Sequence, residues 1–429
     1  MRSHCVYLAF GSVLLVTCLA KEIDTKQFYF GHKVIRVFPA TQAHLNVLVT
    51  LQNQFNNEAL DFWTQTLLEG APVDIRLSPV NSYENITALL TSYGIEFRVQ
   101  IPNLQSVIDQ QNGNQRGKRE TSSWFDRYHS LDEIFSQLRE TAALNKERVR
   151  IFTFGKSYEG RQLFGVEIQT TPQDAKPLVF INCGIHAREW VTPATCMYLI
   201  HQLTSQYQDD VTVQEVLNRV DVVIMPVFNV DGYVYTWKKD RMWRKNRSLN
   251  PGSKCVGTDL NRNWGFGWGE TGASGHPCSE IYHGRAAMSE REVQSVANFL
   301  QSQGHRLVGY LDIHSYSQIL MFPWGYTKRR NKDYEELMRV GQAAVDAIKT
   351  RGGDNTSYTL GQASDIMYLE SGTTKDYIYG HLNVRYAFSM ELRDTGKYGF
   401  LLPSHLIEPT AKEAFEGIKA IILNMKLND

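Results

Sequence analysis

Apolar positions along the chain fall into two regions of different rhythm, separated by a polar stretch near residue 115. In the first region, Lys33 to Phe38 alternates as a strand and His44 to Phe55 carries apolar residues at helical spacing. Val73 to Leu77 reads as a short strand, Asn85 to Tyr93 as a helix and Phe97 to Ile101 as a strand. This βαββαβ-like order suits a small α+β open sandwich with its helices on one face. Asn103 to Gln111 reads as one more helix, leading toward the polar stretch.

The second region has longer apolar runs. Leu178 to Asn182 and Val220 to Val227 are almost continuous, as strands buried on both faces require. Leu307 to Ile313 and Ala387 to Leu392 are similar, and helical spacing fills Pro193 to Gln206, Ser289 to Gln303 and Asp333 to Thr350. Such alternation predicts an α/β domain, a sheet flanked by helices. No internal repeat or low-complexity tract is visible.

The divider, Gln110 to Glu120, lacks apolar periodicity and contains Arg116-Gly-Lys118-Arg119. That run fits a furin-like convertase, and Arg119 alone would suit a trypsin-like protease; an incidental solvated linker is the bland alternative. At the N-terminus, Met1 to His4 is basic, Val6 to Leu19 is mostly apolar, and Ala20 precedes Lys21. This predicts a secretory signal at 1–20. The chain then divides into 1–20, a propeptide at 21–119 cut after Arg119, and a main domain at 120–429. No second run of about 18 apolar residues exists, and Ala420 to Leu423 is too short for a span or lipid-anchor signal.

Composition changes this picture little. The chain is 42% hydrophobic and 21% charged with zero formal net charge, which gives no pointer to nucleic acid or an anionic membrane. Of the 6 cysteines, Cys5 and Cys18 fall in the signal. Cys183, Cys196, Cys255 and Cys278 remain, and a secreted chain would pair them in one of three ways. The local pairing, Cys183–Cys196 with Cys255–Cys278, costs least in loop closure. Asn85, Asn246 and Asn355 are glycosylation sequons.

Candidate chemistry lies at the ends of the predicted strands, where open α/β sheets bind ligands. His186 and Glu189, three residues apart, follow one strand; His314 ends another; Glu391 sits on a third. Two His and one Glu leave a fourth position for water, the ligand set of a catalytic zinc rather than a structural one. Taken alone, His-x-x-Glu is a weak signal in a chain with 12 histidines, and His-Glu-x-x-His is absent.

The surrounding motifs strengthen the signal. They are Cys183-Gly-Ile-His186-Ala-Arg188-Glu189-Trp, Asn229-Val-Asp-Gly-Tyr233, Trp243-Arg244-Lys-Asn-Arg247, Asp259-Leu-Asn261-Arg262-Asn263-Trp, His314-Ser-Tyr316-Ser-Gln318 and Glu391-Leu-Arg-Asp-Thr-Gly396. In this order they resemble the secreted zinc metallocarboxypeptidases of the A/B, pancreatic-like type, over essentially the whole chain. The resemblance implies a mixed sheet flanked by helices, preceded by an inhibitory open-sandwich propeptide. It implies one zinc ion on His186, Glu189 and His314. Glu391 matches the general base that takes a proton from the attacking water and passes it to the leaving amine. Arg244 matches the arginine that stabilises the oxyanion, although by itself it is one member of a basic cluster. Asn261 and Arg262 match the clamp for a free C-terminal carboxylate, and Tyr368 the mobile tyrosine that closes over it. Arg188 matches a secondary subsite residue, and Tyr316 is a further substrate-facing position. The family also implies the Cys255–Cys278 bridge; Cys183–Cys196 belongs to its B-like branch.

Specificity is where this sequence departs. The residue that sets the base of the side-chain pocket is apolar in A-like members and aspartate in B-like members; here it is Lys375. A buried ammonium should attract an acidic side chain and repel a basic one. The expected substrate is therefore a peptide ending in Glu or Asp, a pocket chemistry similar to that of the carboxypeptidase O branch. Glu370 and Asp376 are the candidates to neutralise Lys375, and tight pairing by either would leave the pocket polar but neutral, with A-like or B-like specificity as the alternatives. A catalytically inactive binding protein on the same fold is a third reading, disfavoured because ligands, base and clamp are all present. The expected partners are peptide C-termini and the activating protease, with the protein acting as an extracellular monomer.

Overall fold

The computed structural model describes residues 26–54, 60–64, 67–79, 83–113, 123–170 and 176–427. The signal expected at 1–20 and the processing point at Arg119 lie outside the described residues.

In the N-terminal unit, β1 (Lys33–Phe38), α1 (Gln42–Gln54), β2 (Leu60–Phe62), β3 (Val73–Leu77), α2 (Tyr83–Ser92) and β4 (Glu96–Ile101) follow in βαββαβ order, and α3 (Leu104–Gly113) trails. Its sheet is antiparallel in the order β2-β3-β1-β4. Side chains alternate across a strand, and here that alternation divides the chemistry between two faces. Ile35, Val37, Leu60, Phe62, Val73, Ile75 and Leu77 pack with Leu48 and Leu51 of α1 and Ile86 and Leu90 of α2. Each such burial contributes about 1.5–3 kcal/mol, so this face holds the unit together. The residues between them, Arg36, Asp61, Asp74 and Arg76, are buried as well. They point the other way, toward the second domain.

That domain runs α4 (Leu131–Leu144), β5 (Val149–Lys156), β6 (Gln162–Ile168), β7 (Leu178–Cys183), α5 (Val191–Ser205), α6 (Val211–Arg219), β8 (Asp221–Met225), α7 (Val230–Lys238), α8 (Arg291–Ser302) and β9 (Leu307–Ser315). It continues with β10 (Ile319–Phe322), α9 (Tyr334–Arg351), β11 (Thr359–Gln362), α10 (Ala363–Ile366), α11 (Thr374–Gly380), β12 (Tyr386–Leu392) and α12 (Ile407–Asn424). The sheet order is β11-β10-β12-β9-β7-β8-β6-β5. The central strands β12, β9, β7 and β8 are parallel and almost wholly buried, which is why their sequences read as unbroken apolar runs. Antiparallel pairings at both ends make the sheet mixed. Helices α5, α6 and α9 pack around α12, while α8 and α11 lie against strands.

Both local disulfides form, Cys183–Cys196 and Cys255–Cys278. The first fastens the end of β7 to α5. Among the described residues no helix is long and apolar enough to cross a membrane. Of the sequons, Asn85 and Asn355 are exposed. Asn246 is fully buried and donates from Nδ2 to Glu290 at 2.7 Å.

Candidate active site

Sheet register assembles the site. In the β12–β9 ladder Glu391 stands opposite His314, and in the β7–β9 ladder Cys183 stands opposite Ile313. Just past β7, Gly184 has φ +67, and a Cβ there would lie 3.1 Å from Pro193 Cγ. Only glycine makes this turn without strain, and the turn leads the chain to His186 and Glu189 beside the end of β9.

His186, Glu189 and His314 are buried, and one ligand atom from each lies within 4.8 Å of the others. His186 Nδ1 is 2.8 Å from Glu189 Oε1, and His314 Nδ1 is 3.3 Å from Glu189 Oε2. The outer nitrogens meet carboxylates: His186 Nε2 lies 3.1 Å from Asp259 and His314 Nε2 3.0 Å from Asp312. Such partners fix each imidazole with its proton on Nε2, leaving Nδ1 free to donate to a cation. The donor set and its surroundings therefore fit a zinc ion, which would otherwise leave three converging electron-pair donors facing one another.

Around this centre, Arg244 donates to Asp259 Oδ2 at 2.8 Å and lies 3.9 Å from Glu189. Burial works against the Arg244 cation, but Asp259 and Glu189 outweigh it and keep the guanidinium charged. Asn261 is held by Thr374 N–H, which donates to its Oδ1 at 2.9 Å. Arg262 donates to Gly272 O at 2.9 Å and Asn261 O at 2.8 Å, and its Nη2 reaches the Tyr368 hydroxyl at 3.4 Å. Glu391 lines the same cleft. Its carboxyl is pushed up to about 8, chiefly by burial, with Glu189 and Glu370 adding to the rise and His314 and Arg244 opposing it.

Lys375 lines the cleft too and is 1% exposed. It does not stand alone there, as an unpaired ammonium awaiting substrate would. Its Nζ donates to Glu370 Oε1 in a short contact, and Glu370 Oε2 lies 3.5 Å from Arg262 Nη1. Burial pushes the Glu370 carboxyl up, but Lys375 and Arg262 prevail and hold it below its ordinary value. Asp376, the other candidate partner, instead accepts the N–H groups of Gly325 and Tyr326 at 3.0 and 2.9 Å.

The remaining two predicted residues are held by the N-terminal unit. Arg188 donates to Asp61 at 3.1 Å and stacks over Phe400 with its centre 4.2 Å from the ring. The Tyr316 hydroxyl donates to Asp74 Oδ2 at 2.6 Å, while Asp74 also takes a forked pair of bonds from Arg36, both 2.7 Å. Trp63 and Thr64 close the mouth of the cleft, and Trp63 packs on Phe400 at 5.2 Å. Arg241 ties the two units further, donating to Gln111 at 2.9 Å and to Phe400 O at 2.8 Å. The supporting carboxylates Asp259 and Asp312, and Asp61 and Asp74 of the N-terminal unit, carried no predicted role. A usable signal existed for Asp312, a charge inside an apolar strand two residues before His314.

A buried His-Glu-His centre at the carboxyl ends of parallel strands, with arginines converging on it, defines a metal-dependent hydrolase. Residues 134–417 match the family described as zinc carboxypeptidase, and residues 35–111 match the carboxypeptidase activation peptide. Carboxypeptidase A2 of Rattus norvegicus is 37% identical over 417 residues, spanning 96% of this chain and 98% of its own. Carboxypeptidase B2 of Bos taurus is 40% identical over 422 residues, spanning 97% and 98%. The crystal structure of thrombin activatable fibrinolysis inhibitor superposes with TM-score 0.84 at 39% identity, covering 92% of this chain and 98% of that one. Carboxypeptidase A from Helicoverpa armigera gives TM-score 0.83 at 30% identity, covering 93% and 98%. The chain belongs to the zinc carboxypeptidase family, and it is a zymogen with an activation peptide. A-type and B-type relatives are about equally similar, so they do not select its specificity.

Proposed function

We propose that the protein is a secreted, monomeric zymogen, released by a trypsin-like or furin-like cut after Arg119, whose mature domain removes C-terminal Glu or Asp. His186, Glu189 and His314 would hold the zinc ion, which would supply Lewis acidity for the hydrolysis. Glu391 takes the proton of the attacking water and returns it to the leaving amine. Arg244 faces the oxygen where negative charge develops, an interaction typically worth about 3–4 kcal/mol of barrier. Asn261 and Arg262 hold the terminal carboxylate, and Tyr368 closes over it. Arg188 and Tyr316 become free for the upstream peptide once Asp61 and Asp74 leave with the activation peptide.

One observation carries the acidic preference: a buried ammonium, Lys375, lines the cleft near Arg262. It can bind a carboxylate, as it does in its contact with Glu370, although that same contact opposes the preference. The pocket is thus able to hold at its base the group that an acidic side chain would bring. The likeness to carboxypeptidase O stands on this position alone. A second reading has its own support, because Lys375 and Glu370 cancel and a neutral polar floor would favour uncharged side chains. The test is release of the last residue from matched peptides ending in Glu, Phe or Lys after cleavage at Arg119, with and without a chelator. Fastest release of Glu, lost with chelator, is the expected result; faster release of Phe or Lys would sink the acidic preference.

A further inference from the structure

We infer that Glu370 is a built-in competitor of acidic substrates, occupying on Lys375 the place of the substrate's side-chain carboxylate, so that specificity is set by exchange of the two. The inference deepens the acidic reading above and rests on it in part.

A C-terminal Glu or Asp brings two carboxylates, one for Arg262 and one for Lys375. In the free site a single internal carboxylate spans both cations, with one oxygen on Lys375 and the other 3.5 Å from Arg262. No other carboxylate is hydrogen-bonded to Lys375 among the described residues: Asp376 is turned to backbone N–H groups, and the next polar atom, Thr373 Oγ1, is 3.5 Å away. The pocket wall is shaped for the pair. A Cβ on Gly325 would lie 2.8 Å from Glu370 Cγ and 3.1 Å from Lys375 Nζ. Any side chain at position 325 would displace one partner or the other.

The charge balance separates neutral from acidic substrates. Among the three groups in direct contact, Arg262 and Lys375 against Glu370 leave one positive charge, which the terminal carboxylate of any peptide can meet. A neutral side chain then enters without disturbing the pair. An acidic one must separate Glu370 from Lys375, and parting a buried ion pair is costly. Acidic preference is therefore held down in the native enzyme and rises when Glu370 loses its charge. A pair that only neutralises a buried lysine would behave differently, since its loss would weaken turnover of all peptides alike.

The test uses the mature enzyme and peptides ending in Glu, Gln or Phe. Glu370→Gln should raise the Glu-over-Gln ratio of kcat/KM about tenfold, mainly through a lower KM for the Glu peptide. The double variant Glu370→Ala/Lys375→Met, with an apolar pocket floor, should turn the preference to Phe. An unchanged Glu-over-Gln ratio in folded, zinc-loaded Glu370→Gln overturns the inference. Should that variant not fold, Glu370→Asp, whose shorter carboxylate draws back from Lys375, must raise the ratio by a smaller factor or the inference falls. Failure of the acidic reading is separable. If the native enzyme favours Phe but Glu370→Gln moves the ratio, exchange stands and native acidic preference does not; if neither holds, both fall.

Discussion

Two buried cations at this site, Arg188 and Lys375, are each met by a carboxylate, but the two carboxylates have different fates. Asp61, on Arg188, belongs to the activation peptide and leaves with it. Glu370, on Lys375, belongs to the mature domain and stays. The same chemistry thus serves as a removable block in one place and as a permanent adjustment in the other. The difference lies in chain connectivity: the proposed cleavage after Arg119 falls between Asp61 and the site, whereas Glu370 and Lys375 are five residues apart in the same domain.

Both carboxylates act around a working catalytic centre, so the most drastic test removes the base. Glu391→Gln should lower kcat by about 100-fold or more while peptide binding, followed by calorimetry, persists. Loss of binding along with turnover would mean that Glu391 is structural. The next largest effect concerns the removable carboxylate. Asp61→Ala leaves Arg188 buried without its ion-pair partner, which costs about 3–5 kcal/mol. The cleaved activation peptide should then inhibit the mature domain at least tenfold more weakly, and Glu370→Gln should leave that inhibition as it was. Equal weakening by both variants would erase the difference between the two carboxylates.

A smaller effect appears in the pH profile. The base must be ionised, so kcat/KM falls as pH falls through the value for Glu391. Burial raises that value most, the neighbouring Glu189 and Glu370 raise it further, and the cation bound by the triad lowers it. Glu370→Gln removes one of the negative neighbours and should move the acid limb to lower pH. An acid limb that stays put would show that Glu370 and Glu391 do not sense each other. The smallest effect is on glycans. Mass spectrometry of the secreted zymogen should find glycan at the exposed Asn85 and Asn355 and none at the buried Asn246. Activation should remove the first and keep the second, with turnover unaffected by enzymatic deglycosylation.

The central strands were legible in the sequence because burial on both faces writes an unbroken apolar run. The sheet's outer strands were not. β5 is half-exposed with a glycine at its bulge, and β10 and β11 are four residues each, too short to show a period. The metal ligands, base and clamp could be read because the chemistry fixes residue type within short motifs. Asp61 and Asp74 could not, since a charge in a three- or five-residue strand reads as a solvated position until the facing domain is in place. Lys375 and Glu370 were both visible, and their pairing was not. It depends on the bare wall that Gly325 provides from a loop 45 residues upstream of Glu370 in the chain.

The two-faced sheet of the activation peptide has a consequence for the period after cleavage. Its inward face carries Arg36 with Asp74 and Arg76 with Asp61, so the departing fragment takes its own counter-ions into water. Those two pairs sum to no charge, so they add nothing net to the attraction between the fragment and the mature enzyme. Electrostatic guidance is what lifts association rates above the ordinary range for proteins. If cleavage releases the fragment as proposed, its return draws no help from these pairs, and the freed enzyme should stay free on dilution.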